Sequence, residues 1–264
     1  MEIGYVIAGA MVGVLVGFTG IGGGALMTPM LILGFGVPVV TAVSTDLVYA
    51  AVTKFAGGVA YARQRLVAWR LVVLLLCGSV PGSLVALHYL RTAETLESQV
   101  TLVNLILGVS LVLTSLVLCL RGRIQRWQAA RQSSDSKAVD EPAGFGGKDL
   151  ILIVSGFVLG GLVTLSSVGA GALGTALLIL LFPRMSMRRI VGTDLAHAVV
   201  LTAVAGSGHY SMGNLDFVLL SYLLMGSVPG VILGSQLAKH LSSAVLQPII
   251  AILLFGIGVR FMLI

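Results

Sequence analysis

The chain has 264 residues, 57% of them hydrophobic and 10% charged, and its mean hydropathy of +1.06 excludes an ordinary soluble domain. Its net charge of +6 does not point to nucleic acid, because Lys and Arg collect in short stretches between apolar runs, the pattern that orients helices across a bilayer. Cys77 and Cys119 both lie in apolar segments without metal-ligand spacing, so no disulfide framework, metal site or cofactor is expected.

The apolar runs read as helices; the roughly ten-residue alternation of a membrane barrel is absent. In chain order they predict a first repeat, 1–120, made of a hairpin at 3–33 and helices at 38–62, 69–91 and 98–120. A polar, basic linker at 121–148 follows, and then a second repeat, 149–264, with a hairpin at 150–182 and helices at 187–210, 214–238 and 243–263. The first run lacks a basic leader and has a partner in mid-chain, so it is read as part of the mature protein.

The two halves match each other. GIGGGALMTPMLIL aligns with SVGAGALGTALLIL at 167–180, STDLVYAAV with GTDLAHAVV, and GSVPG occurs at both 78–82 and 226–230. Their charges are opposed. Arg63, Arg65 and Arg70 follow the second segment of the first half, whereas Arg184, Arg188 and Arg189 precede the corresponding segment of the second. All of these fall on one side, with the linker, if each hairpin enters and leaves by the same face. About thirty residues at 1.5 Å each cannot cross twice, so the hairpins read as re-entrant or broken, or as short spans. The fold expected is all-α and polytopic, two inverted repeats, each a re-entrant or broken helical hairpin followed by three transmembrane helices. Linker and basic loops are then cytoplasmic and both termini outside. Interrupted helices in inverted repeats are the architecture of secondary transporters, with the site near the midplane.

Non-helical backbone at membrane depth needs cover from protein or water. Thr19, Gly20, Gly22, Gly23 and Gly24 in the first hairpin, and Ser166, Ser167, Gly169, Ala170 and Gly171 in the second, are the expected turns. Short helices starting after each turn offer N–H groups to an anion. Gly9, Gly13 and Gly17 instead form overlapping GxxxG patterns that read as helix contacts. GIGGGA also fits a dinucleotide-binding fingerprint, but its apolar context offers no strand, and no P-loop Lys follows.

Asp46 and Asp194 fall about two turns inside their helices, with Ser44, Thr45 and Thr193 beside them; ionisable groups at such depth suggest coupling or a pathway. Ser186 reads as an N-cap, which by the repeat starts the second segment at Pro38. Lys54 is the one Lys inside an apolar segment and offers positive charge to Asp46 or to an anion route. His197 shares a helix face with Asp194, a pairing for a proton relay or a hydrogen-bonded packing residue. His209, Tyr49 and Tyr61 are further pathway candidates. Pro81 and Pro229 in GSVPG read as kinks, with Ser79 and Ser227 satisfying the freed backbone.

These motifs together, GFTGIGGGALMTPMLIL followed by STDL, then SSVGAGALGTALLIL followed by GTDL and GSVPG, resemble the TauE/SafE family of sulfite exporters, also called the toluene sulfonate uptake permease family. The resemblance spans nearly the whole chain outside the linker. It implies a carrier in the bacterial inner membrane that exports sulfite, sulfoacetate or related organosulfonates. The partners expected are that anion, the lipid bilayer, and a coupling proton or ion. The alternatives are an anion channel or a carrier for a different small organic anion. An intramembrane Ser/His hydrolase has no triad order to support it, so no enzyme is expected.

Overall fold

The computed structural model describes residues 2–19, 24–93, 95–133, 146–237 and 243–263, and every regular element among them is an α-helix. The first half holds α1 (Glu2–Thr19), α2 (Gly24–Phe35), α3 (Val39–Arg63), α4 (Trp69–Thr92) and α5 (Leu96–Ser133). The second holds α6 (Gly147–Ser166), α7 (Ala172–Leu181), α8 (Met187–Ser211), α9 (Phe217–Leu237) and α10 (Ser243–Met262). Each half therefore repeats the order long helix, short helix, three helices. Ser186 caps α8, its hydroxyl accepting the Arg189 N–H at 3.4 Å, and Pro38 stands at the matching start of α3.

Six helices among the described residues are long and apolar enough to cross a membrane: α3, α4, α5, α6, α8 and α9. Five of these are expected crossings. The sixth is α6, the first arm of the second hairpin, while α10 is apolar over the shorter stretch Gln247–Met262. Large apolar side chains such as Ile151, Val154, Phe157, Ile232 and Leu233 are exposed on the outside of the bundle, where hydrocarbon is the natural solvent.

The expected linker start at 121 falls inside a helix, since α5 continues unbroken to Ser133. Its last residues, RGRIQRWQAARQS, are mostly good helix formers and include a single Gly and no Pro, so nothing stops the helix where the hydrophobicity stops. Polarity marks the end of an apolar run, not the end of a helix.

Contacts fix the helix directions. Ser44 meets His209, Gly57 meets Leu195 and the Ala68 N–H reaches Thr193, so α3 and α8, which align in the repeat, run antiparallel. Gly108 touches Met262 while Gly258 touches Val112, so α5 and its counterpart α10 are also antiparallel. By contrast α4 runs parallel to α6, with Arg70 paired to Asp149 at 2.8 Å and Ser83 accepting from Thr164 at 2.7 Å. The pair α1 and α9 is parallel in the same way, Gly9 lying on Leu223 and Gly13 on Ser227.

Those parallel pairs explain the glycine motifs. A Cβ at Gly9 or Gly13 would collide with α9 backbone, and one at Gly78 or Gly82 with α6 backbone at Ile153 and Phe157. The same holds for Gly226 and Gly230 against Val6 and Ala10 of α1. GSVPG is thus a close-contact surface, and both helices run on through Pro81 and Pro229.

Each hairpin brings its outer ends together. The Tyr5 and Phe35 rings lie 5.0 Å apart at the start of α1 and the end of α2, and the Lys148 ammonium sits 5.9 Å over the Phe182 ring at the start of α6 and the end of α7. The first hairpin stands at the end of the bundle where α3 begins. The second stands at the opposite end, the basic end, where α3 gives way to α4 and α8 begins.

Candidate functional site

The bundle is apolar outside and polar along the seam between α3 and α8. Ser44, Thr45, Asp46, Thr193, Asp194, His197 and His209 are all buried there, a pattern that water cannot explain and that membrane proteins reserve for sites and pathways.

Each acid is held by its own half. The Thr28 hydroxyl of α2 donates to Asp46 Oδ2 at 2.6 Å, and the Thr175 hydroxyl of α7 donates to Asp194 Oδ2 at 2.7 Å. Thr28 and Thr175 occupy matching positions in GALMTPMLIL and GALGTALLIL, so the clamp was duplicated with the repeat. That coincidence of two Thr residues is a signal that sequence reasoning passed over. A Cβ at Gly174 would overlap Asp194 Oδ1, so this glycine gives the carboxylate room to approach α7.

Lys54 crosses between the halves. From α3 its Nζ donates to the Ala170 carbonyl at 2.8 Å, and its charge lies within reach of both Asp46 and Asp194. One buried cation thus lies near two buried carboxylates without a salt bridge to either, and its charge still eases the cost of ionised groups in a low-dielectric interior.

The second break, Ser167 to Gly171, is well formed. The Ser166 hydroxyl donates to the Leu162 carbonyl at 2.6 Å and accepts the Val168 N–H at 3.1 Å. Ser167 takes a left-handed conformation with φ 58°, and Gly169 has φ 102°, a region that disfavours any side chain. Gly171 is the N-cap of α7, and the Ser167 side chain lies beside Asp46 across the seam. Of the first break, Gly20, Gly22 and Gly23 lie outside the described residues, Thr19 ends α1 and Gly24 begins α2.

The remaining candidates play other parts. His197 turns away from Asp194, and its Nε2 lies 2.9 Å from the Ser79 hydroxyl of α4; spacing on one helix face was matched by a nearer partner on another helix. Ser79 accordingly serves His197 instead of backbone freed by Pro81. His209 lies 2.9 Å from the Ser44 hydroxyl and 3.0 Å from the Thr164 carbonyl, which makes it a buckle between α3, α8 and α6. Thr193 donates to the Arg189 carbonyl and accepts the Ala68 N–H, tying α8 to the start of α4.

A cavity of about 270 Å³ opens beside this centre, toward the basic end. Thr53, Lys54, Tyr61, Arg121, Thr175 and Asp194 supply its polar side chains, and the rest is glycine and aliphatic, with Gly171 at the start of α7. Arg121 is the residue least visible beforehand, since it reads as linker and stands instead on α5 at the cavity. Toward the other end the seam is filled. Val43, Leu47, Val163, Ala170, Leu201 and Ala205 pack into one buried cluster there, with the His209 buckle alongside. Among the described residues, the cavity that meets the polar centre lies toward the basic end.

Chemically, the cavity presents a cation, hydroxyls and a helix start to an anion, next to a carboxylate able to exchange a proton. No group of His, Cys, Asp and Glu among the described residues is arranged to hold a metal ion.

Comparison with known proteins agrees with a membrane transporter. No solved structure matches the chain. Three curated relatives come from Bacillus subtilis (strain 168), each described as a probable membrane transporter protein. YjnA is 35% identical over 98% of this chain and 99% of its own length, YdhB 25% over 90% of each, and YunE 24% over 96% of this chain and 94% of its own. The family model described as Sulfite exporter TauE/SafE matches residues 5–261. With a multi-pass helical bundle, a buried polar seam and a match over almost its whole length, the chain belongs to the TauE/SafE family of membrane transporters.

Proposed function

We propose that this transporter is a secondary carrier that exports small sulfur-containing anions, such as sulfite, sulfoacetate or related organosulfonates, across the bacterial inner membrane. It works by alternating access of two inverted repeats, with the linker and the basic end in the cytoplasm and both termini outside. The observation that carries this reading is the one-sided seam: the polar centre meets a cavity at the basic end and a packed apolar cluster at the other. The antiparallel packing of α3 on α8 and of α5 on α10 supports the inversion, and the basic loops gathered at one end support the orientation.

In this reading the anion sits between the breaks of the two hairpins, Thr19 to Gly24 on one side and Ser166 to Gly171 on the other. The start of α7 and the Lys54 ammonium face its oxygens. Rocking of one repeat against the other opens the apolar cluster and closes the cavity, so the same centre meets the opposite side. Asp46, Asp194 and His197 belong to the coupling and positioning groups around it.

The test is sulfite and sulfonate flux into proteoliposomes carrying Gly22→Ala or Gly169→Ala. Each is expected to abolish most of the flux, Gly169→Ala because its φ of 102° strains any residue with a side chain. Undiminished flux in both variants would remove the breaks from the site. Counterflow exchange is expected of the intact carrier, whereas a channel gives single-channel currents and no exchange.

A further inference from the structure

Among the Asp, Lys and His candidates on α3 and α8, Lys54 and Asp194 are the ones that line the cavity. The Asp194 carboxylate is 4% exposed, its Oδ2 takes the Thr175 hydroxyl, and its Oδ1 has no hydrogen-bond partner among the described residues. The other charged or titratable groups around it come from several elements. Lys54 and Tyr61 face the same cavity from α3 and Arg121 from α5, while His197 on its own helix is turned to Ser79. Asp46 lies within reach of the Lys54 charge but does not line the cavity and is fully buried.

One ammonium between two carboxylates has no spare positive charge to offer an arriving anion. An anion that docks on Lys54 sets a second negative charge near Asp194 in a poorly screened interior, which opposes binding. Neutralising Asp194 removes that opposition, and its Oδ1, buried against Gly174 with no hydrogen-bond partner among the described residues, is the oxygen left to take a proton. Asp46 Oδ1 is unpartnered too, but Asp46 does not line the cavity.

We infer that the anion and one proton bind together, the anion on Lys54 and the proton on Oδ1 of Asp194. The proton is delivered by water in the cavity, an O–H bond forms at Oδ1, and the carboxylate becomes a neutral acid. The anion replaces the lost negative charge beside Lys54, so a filled site with a monovalent anion has the same net charge as the empty one. Net movement then follows the sum of the anion and proton gradients, and export proceeds where the anion accumulates inside. This inference rests on the carrier reading above.

The experiment measures proton and anion movement together in proteoliposomes with a trapped pH dye, using an organic sulfonate because its acid stays ionised and carries no proton by itself. Wild type is expected to move about one proton with each sulfonate, in the same direction, and Asp194→Asn to carry none with whatever sulfonate it still moves. Binding of the same sulfonate, read by thermal shift, is expected to tighten by up to about tenfold for each unit of falling pH. Asp194→Asn flattens that dependence, an outcome readable even where its flux is too small to follow. Sulfonate movement without protons in wild type, or proton coupling retained in Asp194→Asn, overturns the assignment. Absence of sulfonate flux in wild type overturns the carrier reading itself.

Discussion

Asp46 and Asp194 stand at matching places in the two halves, and their surroundings have diverged. Both accept a Thr hydroxyl from the short helix of their own hairpin, at 2.6 and 2.7 Å. Around Asp46 the neighbouring position on that helix is Met27, fully buried, and the carboxylate is sealed. Around Asp194 the position is Gly174, and the carboxylate reaches a cavity. Lys54 exists in one copy too, since its counterpart in the second half is Thr202, which bonds its own helix at the Ala198 carbonyl. Duplication kept the anchor in both halves and left the charged, accessible chemistry to one. On the proposed carrier reading, this gives a symmetric frame for motion and an asymmetric site for cargo.

The largest effect is expected from the residue that both acids share. Lys54→Met removes the cation, leaves two buried carboxylates without the positive charge nearby and strips the Ala170 carbonyl of its donor. Breaking a buried charge network by removing one member costs about 3–5 kcal/mol. Thermal unfolding of the detergent-solubilised protein is expected to show that loss, with sulfonate flux gone. Thr202→Lys is not expected to rescue it, because Thr202 is fully buried and does not line the cavity. Rescue by that exchange would show the two halves to be interchangeable and sink the asymmetry.

Much of this frame is legible in the sequence, for physical reasons. Apolar runs declare helices because lipid tolerates no unpaired backbone, and Asp46, Asp194 and Lys54 stand out because charge in such a run is expensive. Ser186 shows itself as a cap by local chemistry alone. The partners of those residues are a different matter. Lys54 meets Ala170 across 116 residues, His197 meets Ser79 across 118, and Ser44 meets His209 across 165. No local pattern encodes which hydroxyl or carbonyl a buried group will find once two helices are packed. Arg121 was hidden for a related cause: loss of hydrophobicity looks like a linker, while helix propensity carries α5 onward beside the cavity.

A middle-sized effect separates the two carboxylates directly. Gly174→Ala places a methyl group against Asp194 Oδ1 and forces the carboxylate or α7 to shift. Overpacking of this kind costs about 1–3 kcal/mol. The pH dependence of sulfonate binding is expected to weaken along with stability, because the displaced carboxylate no longer faces Lys54 as before. Met27→Ala, at the matching position, opens a hole in a sealed core and is expected to lower stability by about 2–5 kcal/mol while leaving the pH dependence in place. Equal shifts in pH dependence from both would place the two acids in the same role.

The smallest effect tests what the halves still share. Thr28→Val and Thr175→Val each delete one hydroxyl donor to a carboxylate and keep the side-chain volume. Hydrogen bonds between membrane helices contribute roughly 0.6–2 kcal/mol, because the alternatives within the bilayer also find partners. The two variants are expected to lower the unfolding midpoint by modest amounts, Thr28→Val by somewhat more, since the clamps are alike in length but that of Thr28 is buried and that of Thr175 only partly so. They are expected to part in function. Without Thr175 the cavity-lining carboxylate loses its anchor and is free to swing toward Lys54, where it competes with an incoming anion and weakens sulfonate binding. Without Thr28 the sealed carboxylate stays enclosed by Met27 and its neighbours, and sulfonate affinity changes little. Equal weakening by both substitutions would make Asp46 a second contact for the cargo and return the two halves to equivalence.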